Sequence, residues 1–212
     1  TLSIFISFFF CILGETGVKL NGWVITIAYT IFSVWNAVNN PIIGYIADRP
    51  KKFWKRYGKR FPWVMGSGIP AIFLLVAIFS PPNVDPISGQ LILFFWVVTF
   101  LCLYELAFTA FSLNHWALFP DKFRMDSDRR NVGTLGRAFL LVGTAVGSIV
   151  PPLFITYGDR QSYTRMAWIL AVVCLILFIA IIPGHIESKE MKERYLEMDV
   201  DKEKVSFFQA FK

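Results

Sequence analysis

The sequence predicts an all-α integral membrane protein with six transmembrane helices, and three observations carry that expectation. Hydrophobic residues make up 55% of the chain against 17% charged, with a mean hydropathy of +0.53. The charges are clustered, leaving apolar runs close to the roughly 20 residues a helix needs to cross a bilayer. No segment shows the ten-residue alternation of a barrel strand, and in lipid only helices or a closed barrel satisfy the backbone.

The first span, about residues 1–14, opens inside an apolar run with neither an initiator Met nor a basic leader. We expect a truncated helix there, not a signal peptide. The second runs from about Gly22 to Ala47 and ends against Asp48-Arg49. The third covers about Pro62 to Ser80, where Pro81-Pro82 cannot continue a helix. The fourth is the longest, about Gln90 to Phe119; the fifth covers about Leu135 to Tyr157 and the sixth about Thr164 to Pro183. Cys11, Cys102 and Cys174 sit in separate apolar runs with no metal or disulfide spacing, so they read as small apolar residues.

Orientation follows from the basic residues of the connections. Loop 48–60 holds seven: Arg49, Lys51, Lys52, Lys55, Arg56, Lys59 and Arg60. Residues 120–137 hold five and the tail from 184 holds six, whereas the other three connections share only Lys19, Arg160 and Arg165. Loops 48–60 and 120–134 and the tail are therefore expected in the cytoplasm, and the chain in the cell membrane as a multi-pass protein. The basic pI, near 9.3, fits this topology without a nucleic-acid partner; membrane lipid is the expected surrounding. Residues 1–186 form the expected bundle. Residues 187–212 read as a cytoplasmic linker toward a missing C-terminal bundle, or as an amphipathic C-terminus.

The second span carries polar chemistry. Asn36, Asn39 and Asn40 precede Pro41 in "WNAVNNPIIGYIADR". Asn36 and Asn40 are four apart and share a helix face with Ser33. Amides in hydrocarbon need partners, so that face is expected to meet the bundle or a watery cavity, either as a site or as interhelical glue. Pro41 frees the carbonyl four residues back, and Gly44 permits a close helix contact. In the fourth span Glu105 costs at least ~2.5 kcal/mol to insert and shares a face with Thr109 and Ser112. It reads either as a proton-coupling group or as a structural acid bonded to a neighbouring helix.

"WNAVNNPIIGYIADR" followed by "YGKRFPWV" resembles the second helix and following loop of the glycoside–pentoside–hexuronide:cation symporters, the melibiose-permease relatives of the major facilitator superfamily. "WALFPDKFRMDSDRRNVGTLGRAF" is similar to the end of their fourth helix, the four–five loop and the start of the fifth. The resemblance implies that the chain is the N-terminal half of a twelve-helix transporter. It also places the family's two cation-binding aspartates on Asn36 and Asn40, a third carboxylate on Ser112, and an arginine on Ser33. An amide oxygen can still ligate Na⁺ but cannot take up a proton, so coupling to Na⁺ or H⁺ through that site is doubtful. No other cofactor is expected.

By the same resemblance Trp116 stands where an aromatic stacks on the sugar ring, and Arg137 where an arginine bonds sugar hydroxyls. Trp116 reads equally as an interfacial anchor, and Arg137 as a snorkelling cation. His115 takes no role from the family and reads as a hydrogen-bonded packing residue. Gly44, Asp48, Arg49, Gly58, Lys59 and Arg60 resemble the superfamily's cytoplasmic signature, whose acid pairs with a basic residue of the other half. Arg129 and Arg130 fit the charged four–five loop loosely.

The implied function is alternating-access transport of a sugar or glycoside-like solute. A lysolipid-like solute, or a degenerate transporter acting as receptor or uniporter, is the alternative. An enzyme is not expected, because no nucleophile sits beside a base and no His, Asp or Cys cluster has metal spacing.

Overall fold

The computed structural model of the chain describes residues 20–49, 53–85, 88–156 and 159–200. Every regular element among them is a helix. These are α1 (Gly22–Asp48), the single turn α2 (Trp54–Tyr57), α3 (Phe61–Ile78), α4 (Gln90–Lys122), α5 (Asp126–Leu153), α6 (Arg160–His185) and α7 (Lys189–Val200). Four of them, α3 to α6, are long and apolar enough to cross a membrane. α1 has the length, at 27 residues, but Asn36, Asn39 and Asn40 dilute its apolar character. The expected first span lies outside the described residues, so four of the six expected crossings meet both criteria.

Local chemistry sets the helix starts. The Asn21 side chain accepts from the Trp23 N–H at 3.2 Å and caps α1. Asp159 does the same for α6, accepting from Gln161 N–H at 2.9 Å, so α6 begins before the expected Thr164. α5 begins well before Leu135, with Asp126 and Asp128 in its first turn, where acids complement the helix dipole. Both differences arise because a polar first turn is invisible to a hydropathy pattern.

α4 is the strut of the bundle: α1 packs along one side, α3 along another, and α6 covers α3. In lipid the hydrophobic effect does not draw helices together, so close packing and interhelical hydrogen bonds must do so. Both are visible here. Trp35 Nε1 of α1 donates to the Cys102 carbonyl of α4 at 3.0 Å, and Trp96 Nε1 of α4 donates to the Ala77 carbonyl of α3 at 3.0 Å. A Cβ at Gly68 of α3 would lie 2.2 Å from the Phe178 ring of α6, so glycine sets the spacing of that pair.

One end of the bundle holds the main apolar cluster, with Ala28, Ile78, Val97 and Ala167 contributed by four helices. Arg160 fastens the loops there, donating to Asn83 Oδ1 at 2.5 Å and to the Pro81 carbonyl. At the other end a smaller cluster joins Trp54, Leu118, Met191 and Tyr195, because α7 folds back onto α2. α5 stands apart. Pro151 is its one buried residue, and Leu141, Val142 and Ile149 are left for lipid or for residues outside the described set.

Gly68→Ala should destabilise the bundle by roughly 1–3 kcal/mol through overpacking against Phe178. Thermal unfolding in detergent checks this, and the Gly68→Ala/Phe178→Leu double variant should recover much of the loss; additive losses would refute the contact.

Candidate functional site

The amide face of α1 divides in two. Asn39 is 1% exposed and turns toward α4, its Nδ2 donating to the backbone carbonyl of Glu105 at 3.3 Å. Its Oδ1 is buried and has no hydrogen-bond partner among the described residues. Asn36 and Asn40 lie on a more open face and pair with each other, Asn40 Nδ2 donating to Asn36 Oδ1 at 3.2 Å. Ser33 is exposed and returns its hydroxyl to the Tyr29 carbonyl at 2.8 Å. Gly44 has open space where a Cβ would stand, so no described neighbour requires a glycine there.

Glu105, Ser112 and Trp116 follow one another along a single face of α4, as their spacing requires. Glu105 Oε1 accepts from the Thr109 hydroxyl at 3.3 Å, and Thr109 itself is buried. Ser112 gives its hydroxyl to the Thr109 carbonyl at 3.4 Å. Trp116 closes the row and is 58% exposed, so its ring face is open to a partner. Arg137 is exposed on α5, which stands off the bundle, and no described contact joins it to Trp116. His115 meets the edge of the Trp116 ring, with centroids 5.3 Å apart, and stacks on Phe111, with centroids 5.8 Å apart. Its Nδ1 lies 2.7 Å from His185 Nε2, while His185 Nδ1 lies 2.8 Å from the Ile181 carbonyl. A carbonyl only accepts, so the proton of neutral His185 sits on Nδ1 and His115 Nδ1–H donates to Nε2.

The densest polar cluster lies at the loop end of the bundle. Glu187, 3% exposed, accepts three backbone N–H bonds: Oε2 from Lys59 at 2.9 Å, and Oε1 from Arg60 at 2.6 Å and Phe61 at 3.0 Å. The N–H groups of the N-cap Arg60 and of Phe61 are donors that the start of α3 leaves without helical partners, Lys59 adds the one before them, and a carboxylate there also meets the positive end of the dipole. Gly58 makes this possible. Its φ is +93°, and an added Cβ would fall 2.6 Å from the Glu187 carboxyl. Lys122 Nζ donates to the Gly184 carbonyl at 2.5 Å, which holds the end of α6 so that Glu187 can reach.

Asp48, at the end of α1, pairs with Lys59 Nζ at 2.9 Å and with Arg60 Nη2 at 2.8 Å. Arg60 Nη1 also donates to Asn114 Oδ1 at 3.2 Å, joining α1, α3 and α4 at one point. Burial pushes the Asp48 carboxyl up, but the Lys59 hydrogen bond and the charges of Arg60 and Lys59 outweigh it and hold it below the ordinary range. Arg49 points elsewhere, its guanidinium 4.4 Å from the centroid of the Tyr45 ring. Tyr195 of α7 donates to Asp121 Oδ2 at 2.5 Å; burial, then that bond and the Asp121 charge, pushes its phenol well above the ordinary tyrosine range.

The residues expected at the site are thus brought together in three groups. Asn36 and Asn40 form one, Glu105, Ser112 and Trp116 a second, and Asp48, Gly58, Lys59 and Arg60 a third. Arg137, Gly44 and Arg49 join none of them. The acid–base pairing implied for the other half of a transporter is satisfied here within the same bundle. Sequence reasoning missed Glu187, Asn114, Asp121 and the partner of His115. The one available signal was the acid just after the sixth span, in "GHIESKE", opposite a glycine flanked by cations.

A family model described as "MFS/sugar transport protein" matches residues 1–212. An uncharacterised symporter of Synechocystis sp. is 27% identical over 151 residues, 68% of this chain and 27% of that relative. The lactose permease of Lactobacillus delbrueckii subsp. bulgaricus is 25% identical over 200 residues, 90% of this chain and 30% of the permease. Sodium-dependent lysophosphatidylcholine symporter 1-A of Danio rerio is 27% identical over 116 residues, 55% of this chain and 20% of the symporter. The chain therefore spans less than a third of the length of these relatives, all of them transporters by name and none an enzyme.

Glu187→Ala should cost ~3 kcal/mol or more, because three donors, one buried and two partly buried, lose a charged acceptor. Protease cleavage near residues 58–60 should rise with it, whereas Glu187→Gln, which keeps an acceptor oxygen, should recover part of the loss. Asp48 sets a pH limit. A carboxyl depressed in the fold stabilises fully above its unfolded pKa, about 3.9, and that contribution is lost as pH falls through the folded value. Acidification below about pH 4 should loosen loop 53–60 in hydrogen exchange, and Asp48→Asn should show the looser exchange already at neutral pH.

Proposed function

We propose, from the premise that this chain belongs to the MFS/sugar transport protein family, that it forms the N-terminal six-helix half of a secondary transporter for a sugar or glycoside-like solute. Family membership makes it a transporter component and not an enzyme. The solute would bind near the bilayer midplane, between this bundle and a C-terminal one, and be exposed to each side in turn by rocking of the halves. Residues 187–212 would lead toward that second bundle. Loops 48–60 and 120–134 and the tail are assigned to the cytoplasm, because residues 48–60, 120–137 and the tail hold eighteen Lys and Arg against three in the other connections.

One observation carries the solute class: the row on α4 that runs from Glu105 through Ser112 to an open Trp116 ring. A sugar presents an apolar ring face and hydroxyls that both donate and accept. An exposed indole matches the first and a hydroxyl-and-carboxyl row the second. The Asn36–Asn40 pair adds neutral donors and acceptors, which suit hydroxyls better than a bare cation. The lactose permease among the relatives supports this reading. A lysolipid-like solute is the second reading, supported by the lysophosphatidylcholine symporters. Arg137 enters the site only if α5 closes on α4 when the remaining helices are present. Coupling to Na⁺ or H⁺ is assigned to no aspartate, and Glu105 is the membrane acid left to carry a proton.

The test is uptake of labelled lactose and labelled lysophosphatidylcholine by proteoliposomes of the full-length protein, with and without Na⁺ and pH gradients. Lactose flux should dominate, and Trp116→Ala should weaken its binding up to about tenfold, the scale of one ring-stacking contact. Arg137→Ala should weaken it without loss of expression, and Glu105→Gln should abolish any pH-driven accumulation while leaving exchange intact. Flux of the lysolipid alone would replace the solute class with the second reading. Binding without flux of either solute would make the protein a receptor.

A further inference from the structure

We propose that a crevice on the flank of the bundle holds one acyl chain of an anionic phospholipid, drawn from the leaflet that faces loop 48–60. The crevice exists because α1 and α3 both pack on α4 but not closely on each other. It encloses about 450 Å³. Ile43 of α1 forms one wall, and Pro62, Gly66, Pro70 and Leu74 of α3 form the other; Ala107 and Ala110 of α4 lie at its floor. The α3 residues recur every four positions, so they make a continuous stripe. Gly66, which has no side chain, and the methyl groups of Ala107 and Ala110 keep the channel open, and the Ser67 hydroxyl is turned back on the Trp63 carbonyl at 2.6 Å.

Length and charge identify the occupant. From Pro62 to Leu74 the wall rises about 18 Å at 1.5 Å per residue, close to the ~15 Å of one leaflet's hydrocarbon. An acyl chain lying along α3 would therefore reach from the loop end to the bilayer midplane. Its headgroup would then stand beside Arg49, Lys55, Arg56, Lys59 and Arg60, the described cations of the most basic stretch of the sequence. Lys59 and Arg60 are taken by Asp48. Arg49, Lys55 and Arg56 are exposed, and no carboxylate pairs with them among the described residues. Juxtamembrane cations of this kind select anionic headgroups.

This is not the transport row under another name. At about 100° per residue, Leu103, Ala107 and Ala110 fall on one side of α4, while Glu105, Ser112 and Trp116 fall on the opposite side. The lipid would be a resident of the flank, independent of which solute is carried.

The full-length protein is reconstituted in phosphatidylcholine vesicles containing a trace of phosphatidylglycerol with an acyl-chain diazirine, then photolysed and mapped by peptide mass spectrometry. Adducts should concentrate in residues 62–74 and 103–110, and unlabelled phosphatidylglycerol should compete better than phosphatidylcholine by at least about tenfold. Gly66 has open space where a Cβ would stand, so Gly66→Phe should fill the crevice and remove these adducts without changing those on α5. Ala107→Leu serves the same purpose if that variant fails to fold. Replacing Arg49, Lys55 and Arg56 together by Gln should erase the headgroup preference but not the adduct positions. Adducts spread evenly over lipid-facing residues, equal competition by the two lipids, or labelling indifferent to Gly66→Phe and Ala107→Leu would each overturn the proposal.

Discussion

Three backbone N–H groups at the start of α3 converge on the carboxylate of Glu187, and the arrangement at the loop end depends on it. A helix beginning inside a packed protein has four donors without helical partners, and burying them unpaired is costly. The acid that resolves this comes from more than a hundred residues away, just past α6. It therefore fixes the end of α6 to the beginning of α3, and the glycine that admits it, Gly58, positions Lys59 and Arg60 for Asp48. Through Arg60 and Asn114 the same cluster reaches α4. Four helices are thereby held at one level by one buried carboxylate and one exposed one.

That arrangement bears on how such a bundle could move. Rocking of two halves requires each half to keep its own shape while contacts between halves change. The Glu187 bonds and the Asp48 pairs lie inside this bundle, and so does the Tyr195–Asp121 bond that seats α7. They stiffen the bundle. A charge that served as a gate would have to exchange partners, and Asp48, about half exposed while Glu187 is buried, is the member of the cluster placed to do so.

Hydropathy and charge made the membrane class and the helix positions legible, because both are properties of single segments. Helix starts were shifted wherever a polar first turn preceded the apolar run, as at Asp126 and Asp159. The amide face was legible as a periodicity, but its division was not. Asn39 faces α4 whereas Asn36 and Asn40 face outward, and only the direction in which α1 packs decides that. The least legible features were the long-range pairs. Glu187 with residues 59–61 and His115 with His185 join segments about 70 or more residues apart, and no local pattern announces either. Arg137 was named from a motif, yet its place depends on how α5 packs.

The physical contrast within the polar groups points to what each can do. Asn36 and Asn40 share a hydrogen bond, which two ionised carboxylates at that spacing could not do without a cation between them. Neutral amides therefore need no ion between them to share that bond. Glu105 differs, since its carboxyl receives one hydroxyl hydrogen bond and meets no basic partner among the hydrogen bonds and ion pairs of the described residues. The Asn36–Asn40 pair thus holds its hydrogen bond without an ion, whereas the Glu105 carboxyl is met by the Thr109 hydroxyl alone among those bonds.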